Sequence, residues 1–129
     1  MQPNSQASSL HRQTLKILSE EYSSYTVFQE YPVQIRNASG VNHYLMFDFY
    51  IKEMGMVIEC QGEQHFKPNS HFFSGKASFQ RMKDNDAMKR EWCEVNDLMF
   101  IELLFSEKIT SSLLKSKIKA ALKNRSRKR

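Results

Sequence analysis

Apolar and polar positions alternate along this chain with two different periods, and the switches between them mark the elements. Leu10, Thr14, Ile17 and Leu18, with Leu15, fall at helical spacing, so Leu10–Glu21 reads as a helix that Ser8 or Ser9 can cap. Tyr25–Ile35 alternates and is rich in β-formers, which predicts a first strand. Pro32 lacks a ladder donor and places that strand at an edge or a break. Asn37, Ser39 and Gly40 mark a turn. Tyr44–Ile51 and Met56–Gln61 are two further strands, joined through Lys52–Gly55 as a hairpin. His65–Ser78 is loop-like. Phe79, Met82, Met88, Trp92 and Val95 stripe a helix over Phe79–Asn96. Leu98–Phe105 is a nearly unbroken apolar run, as in a strand buried on both faces. Ser106–Lys123 is an amphipathic helix with Leu114, Ile118, Ala121 and Leu122 on one side. The order predicts an α/β protein of the α+β kind, a mixed sheet flanked by helices.

Length and charge refine this picture. The 129 residues suit one domain with a modest core. The expected division is a flexible stretch at 1–9, a core at 10–106, a basic helix at 107–123 and a disordered basic tail at 124–129. No apolar run approaches membrane-span length, and Met1–Ser9 lacks the charged and apolar regions of a signal peptide. Two cysteines make no disulfide framework. The expectation is an intracellular, cytoplasmic protein that is not secreted and does not enter a membrane, nucleoid-associated if bacterial or phage. The net charge of +5 is uneven. Residues 108–129 hold nine basic and no acidic side chains, while 1–107 hold ten basic and fourteen acidic. A basic end on an acidic body points to a polyanion, or else to a solubilising tail.

The stretch 48–65, DFYIKEMGMVIECQGEQH, carries the chemistry. Asp48 and Glu59 are acids inside apolar strands, and a buried carboxylate needs a partner or a metal. Period-two alternation puts Glu59 and Gln61 on one face of their strand. If Asp48 faces the same side, two hard oxygen ligands meet, the minimum for Mg2+.

An acid on one strand followed by acid-x-polar on the next resembles the PD-(D/E)XK nuclease superfamily. Glu59-Cys60-Gln61 carries Gln where Lys is commonest. Ile58–Phe66 looks like a narrower subgroup with an acid-x-polar-Gly-x-x-His signature, which includes relatives of very-short-patch-repair nucleases and some phage homing endonucleases. The resemblance spans roughly Val27 to Leu104. It implies an αβββαβ restriction-endonuclease-like core, a DNA partner and Mg2+ as cofactor, with Mn2+ as substitute. It also implies that Asp48, Glu59 and the Cys60 backbone carbonyl hold the metal. Gln61 would orient water. The charge missing at Gln61 would come from Lys89 on the following helix, from Lys67, or from His65 as acid or base. In the subgroup a Glu on the first helix often completes the site; the comparable region here offers His11 and Gln13, with Glu20 and Glu21 only at its end.

For nucleic-acid contact the candidates are Lys67, Phe72, Phe73, Lys115, Lys119, Lys123, Arg125 and Arg127; Phe72 and Phe73 serve if they are exposed rather than folded onto the core. Zinc on Cys60, His65, His71 and Cys93 competes for some of these residues, without the spacing of a zinc motif. The function expected is a Mg2+-dependent DNA endonuclease of the mobile-element, phage or repair type, acting alone, as a homodimer or in a larger assembly. The alternatives are a nuclease fold that only binds nucleic acid as a subunit of such an assembly, and a small-molecule or protein-binding module.

Overall fold

The structure, a computed structural model, describes residues 5–36, 39–62 and 76–128. Helix α1 (Ser5–Glu21) precedes strands β1 (Val27–Arg36), β2 (Asn42–Ile51) and β3 (Met56–Gln61). Helix α2 (Lys76–Val95), strand β4 (Met99–Leu104) and helix α3 (Ser111–Lys128) follow. The four strands lie in the order β1-β2-β3-β4. β1–β2 and β2–β3 are antiparallel, and β3–β4 is parallel. The mixed sheet with three helices is the α+β architecture expected from the pattern.

Two apolar clusters sandwich the sheet. The first joins Leu10 and Leu18 of α1, Ile58 of β3, Ile101 of β4 and Leu114 and Ile118 of α3. The second lies under α2 and joins Leu45, Phe47, Val57 and Cys93, with Met88, Trp92 and Phe100 packed against it. β3, between them, is buried nearly throughout.

The β1–β2 hairpin changes sides midway. All odd positions of β2 from Leu45 to Ile51 are buried. Phe49 and Ile51 enter the first cluster, whereas Leu45 and Phe47 enter the second. Regular alternation would send Phe47 and Phe49 the same way, so the crossover falls at Asp48. Its cross-strand neighbour shows the cause. Glu30 drops out of an otherwise continuous register and has φ +47°, a left-handed conformation that costs a non-glycine residue about 1–3 kcal/mol.

Several boundaries differ from expectation. α1 starts at Ser5, so Ser8 and Ser9 lie within the helix; Ser9 accepts a bond from Gln13 instead of capping. β1 is an edge strand, which accommodates Pro32. β4 is the other edge and is fully buried only at Met99, Ile101 and Leu103; Phe100, Glu102 and Leu104 are half-buried, correcting burial on both faces. α3 begins later than Ser106, at Ser111, capped by Thr110 Oγ1, which accepts from Leu113 N at 3.1 Å. It then runs through the stretch expected to be disordered. There Arg125 reaches the Met54 carbonyl at 3.4 Å and Asp97 at 3.2 Å, and half-buries itself against the Gly55 turn. The expected loop at 65–75 lies outside the described residues.

Phe47 is fully buried against Trp92, with ring centroids 5.5 Å apart. Phe47→Ala is expected to lower stability by about 3–5 kcal/mol, measured by urea denaturation; a loss below about 1 kcal/mol would contradict the packing of the second cluster.

Candidate active site

β2 and β3 pair over only three positions, Phe49–Ile58, Tyr50–Val57 and Ile51–Met56. Beyond these the strands part, and two carboxylates bridge the opening. Glu59 Oε2 accepts from the Asp48 amide at 2.6 Å, and Asp48 Oδ2 accepts from the Cys60 amide at 2.8 Å. Each acid thus satisfies a backbone donor that the lost ladder would have used.

Glu59 is 4% exposed, and its other oxygen accepts from Lys89 Nζ at 2.7 Å. α2 supplies this lysine because Met88 and Trp92 pack on the second cluster and turn the residue between them toward the sheet. The Lys89 ammonium also lies 5.8 Å from the Phe47 ring centroid. Burial, reinforced by the Asp48 charge, raises the Glu59 carboxyl from its ordinary 4.5 to about 7; Lys89 opposes this without cancelling it.

The remaining Asp48 oxygen, Oδ1, lies 4.0 Å from His11 Nδ1 on α1. The imidazole sits against the Phe49 ring at 4.5 Å, and its Nε2 is 3.2 Å from Gln29 Oε1. His11 therefore forms the α1 wall of the site, a placement that helical spacing alone did not assign.

Gln61 lies on the Glu59 face, as alternation requires, but its amide donates to Glu102 Oε2 at 2.8 Å. Glu102 stands opposite Glu59 in the parallel register and accepts from Arg90 Nε at 3.2 Å and Nη2 at 2.8 Å. Glu102 is the residue sequence reading missed. The signal was present: a lone acid in an apolar strand, the argument already applied to Glu59.

The donor set suits a hard cation held by one or two carboxylates and completed by water. Asp48 and Glu59 are neighbours whose charges repel, and Oδ1 of Asp48 has its contact with His11 at the longer 4.0 Å. Among the described residues no three of His, Cys, Asp and Glu converge as a metal-binding group. The zinc set does not assemble: Cys60 packs toward the first cluster, 3.6 Å from Thr14 Oγ1, while Cys93 lies in the second, across the sheet. Burial pushes both thiols up to about 12. His65, Lys67, His71, Phe72 and Phe73 lie outside the described residues.

The basic helix is only partly available for ligand contact. Lys115 pairs with Glu21 at 3.1 Å, and Arg125 is held as described. Lys119, Lys123 and Arg127 are exposed at four-residue spacing, on one side of α3. A cleft of about 580 Å³ between α2, β4 and α3 is lined by Arg90, Glu102, Asp97 and Arg125 among others, but not by Asp48 or Glu59. Among the described residues no helix is long and apolar enough to cross a membrane.

No family model and no solved structure matches the chain. It is 31% identical over 85 residues to uncharacterized protein 307L of Invertebrate iridescent virus 6, covering 66% of this chain and 43% of that protein. It is 28% identical over 79 residues to uncharacterized protein 033L of Invertebrate iridescent virus 3, covering 61% and 40%. The matched segments thus span about two-fifths of the length of these relatives.

A carboxyl raised in the fold binds more protons folded than unfolded between its two values. Glu59 therefore makes the fold less stable as pH rises from about 4.5 to about 7, and adds no further slope above that. The stability of Glu59→Gln relative to the unsubstituted protein is expected to improve with pH across this window, measured by urea denaturation from about pH 4 to about pH 8. A difference independent of pH would contradict the raised value.

Proposed function

We propose that this protein is a metal-dependent endodeoxyribonuclease of the PD-(D/E)XK kind, working on DNA in an intracellular setting. The observation that carries the reading is the pair Asp48 and Glu59 bridging the parted strands, with Lys89 drawn onto Glu59. A buried acid beside a half-buried one of like charge destabilises the fold unless a cation compensates the pair, which makes the arrangement costly as scaffolding and useful as a ligand site. Asp48 and Glu59 would hold Mg2+, joined by the Cys60 carbonyl. When bound, Mg2+ supplies charge neutralisation at phosphate and lowers the pKa of a bound water.

The chain's own side chains divide the remaining work. Lys89 brings a fixed positive charge beside Glu59 and replaces the lysine that Gln61 lacks. His11 buttresses Asp48 from α1. Gln61, tied to Glu102 and Arg90, holds the end of β3 in line with β4. Lys119, Lys123 and Arg127 offer a cationic row for phosphates. The length of the relatives leaves room for further segments, or for a homodimer or larger assembly, to supply the rest.

A second reading is a nuclease fold that binds DNA without cutting it. It is favoured by the Gln61 amide, which is spent on Glu102 rather than directed at a water.

The test is cleavage of supercoiled plasmid with Mg2+ or Mn2+. Asp48→Asn and Glu59→Ala are expected to lose cutting by on the order of a hundredfold or more, and Lys89→Ala by a comparable factor. Equal cutting by all variants would refute the site. Duplex binding without cutting by the unsubstituted protein would move the assignment to the second reading.

A further inference from the structure

The outer half of the β1–β2 hairpin, residues 31–36 and 42–47, runs past the three pairs that tie β2 to β3. Its burial alternates without exception. Tyr31, Val33, Ile35, His43, Leu45 and Phe47 are buried or half-buried, whereas Pro32, Gln34, Arg36, Asn42, Tyr44 and Met46 are exposed. One face is therefore backed by α2, and the other is open. The open face has a definite arrangement: Pro32 stands opposite Met46, Gln34 opposite Tyr44, and Arg36 opposite Asn42. Tyr44 is 70% exposed and Met46 51%, which is unusual for large side chains in mid-strand.

We propose that this open face is a duplex-DNA reading surface that lies in the major groove and leads the substrate to Asp48. The proposal rests on the nuclease reading and adds to it the element that meets the bases.

Three observations support it. First, the chemistry matches base edges. Arg pairs with guanine, Asn and Gln pair with adenine, and apolar side chains meet the thymine methyl; Arg36, Asn42, Gln34, Tyr44 and Met46 provide all of these from one face. Second, the shape fits. Six residues of strand span about 20 Å, and the major groove, about 12 Å wide, admits a two-stranded ribbon. A ribbon backed by a helix on its other face is stiff enough to present its side chains as a unit. Third, the charge and position agree. No acidic residue occurs between Glu30 and Asp48, although residues 1–107 carry a net negative charge. Tyr44, Met46 and Asp48 follow one another at every second position, and Asp48 meets His11 on the α1 side. The side change at Asp48 turns this line of residues toward the α1 side, because Leu45 and Phe47 take the α2 core in place of the first cluster.

The test uses the full chain in EDTA, so that binding is read without cleavage. A fluorescent mixed-sequence duplex of about 30 base pairs is titrated by anisotropy against the unsubstituted protein and the triple variant Gln34→Ala/Asn42→Ala/Tyr44→Ala. All three side chains are exposed, so the thermal midpoint should stay within a few degrees. Duplex affinity is expected to fall about tenfold or more, while metal-dependent nicking of plasmid by the unsubstituted protein is scored separately. Unchanged duplex affinity in the triple variant overturns the proposal, even if plasmid cutting stands. Binding that weakens in the variant supports it, even if the unsubstituted protein fails to cut and the nuclease reading falls. Tighter binding of the single strand than of the duplex overturns groove docking. So does a concentration-dependent dimer, seen by sedimentation, that the variant loses while its duplex affinity holds.

Discussion

Placing an ionisable carboxylate in a nearly dry position is the constraint around which this small protein is arranged. Glu59 sits in the middle strand with cores on both sides, and a charge there is tolerable only with full hydrogen bonding and a counter-charge. One oxygen takes the Asp48 amide and the other takes Lys89. To deliver that lysine, α2 must lie over the β2–β3 opening, and Met88 and Trp92 hold it there. Burial and Asp48 together still outweigh Lys89, which leaves the carboxyl raised. The compensation is incomplete within the chain itself.

The same opening shapes the hairpin. Because β2 meets β3 only from Phe49 onward, its outer half is free to turn its buried face from the first core to the second. Glu30 takes the backbone strain of that change. The consequence is an asymmetric ribbon: α2 seals one face, and nothing among the described residues seals the other. A second acid, the half-buried Glu102, follows a different rule from Glu59. Glu102 is matched by a bidentate arginine and by Gln61, so its charge is answered on the spot. Two acids in register on neighbouring strands thus take different partners, Lys89 for Glu59 and Arg90 with Gln61 for Glu102.

The helix α3 shows how a strongly charged segment acquires a fixed place. Its apolar stripe of Leu114 and Ile118 packs on the first core. Lys117 reaches Glu107 at 2.7 Å and the Glu102 carbonyl at 2.8 Å, and Arg125 clamps the last turns to the β2–β3 connection. Partly exposed pairs of this kind contribute modestly each, yet they decide which cations are engaged within the fold. Lys115 and Arg125 belong to the scaffold, whereas Lys119, Lys123 and Arg127 face outward.

Much of the fold was legible in the order of residues. Among the described residues, periodicity located the three α-helices, the four strands and the shared face of Glu59 and Gln61, and the missing donor of Pro32 narrowed its strand to an edge or a break, because these depend on local geometry and on solvent exclusion along one element. It also singled out Asp48 and Glu59 as acids in apolar strands, while Lys89 was reached only through the family resemblance. It did not reveal that His11 meets Asp48, that Glu102 takes the Gln61 amide, or that the alternation of β2 reverses at Asp48. Nor did it show that the basic end continues as helix. Each of these depends on how one element sits against another. A side chain's partner across 37 or 41 residues of chain is set by packing and register, and no period within a strand or helix encodes it.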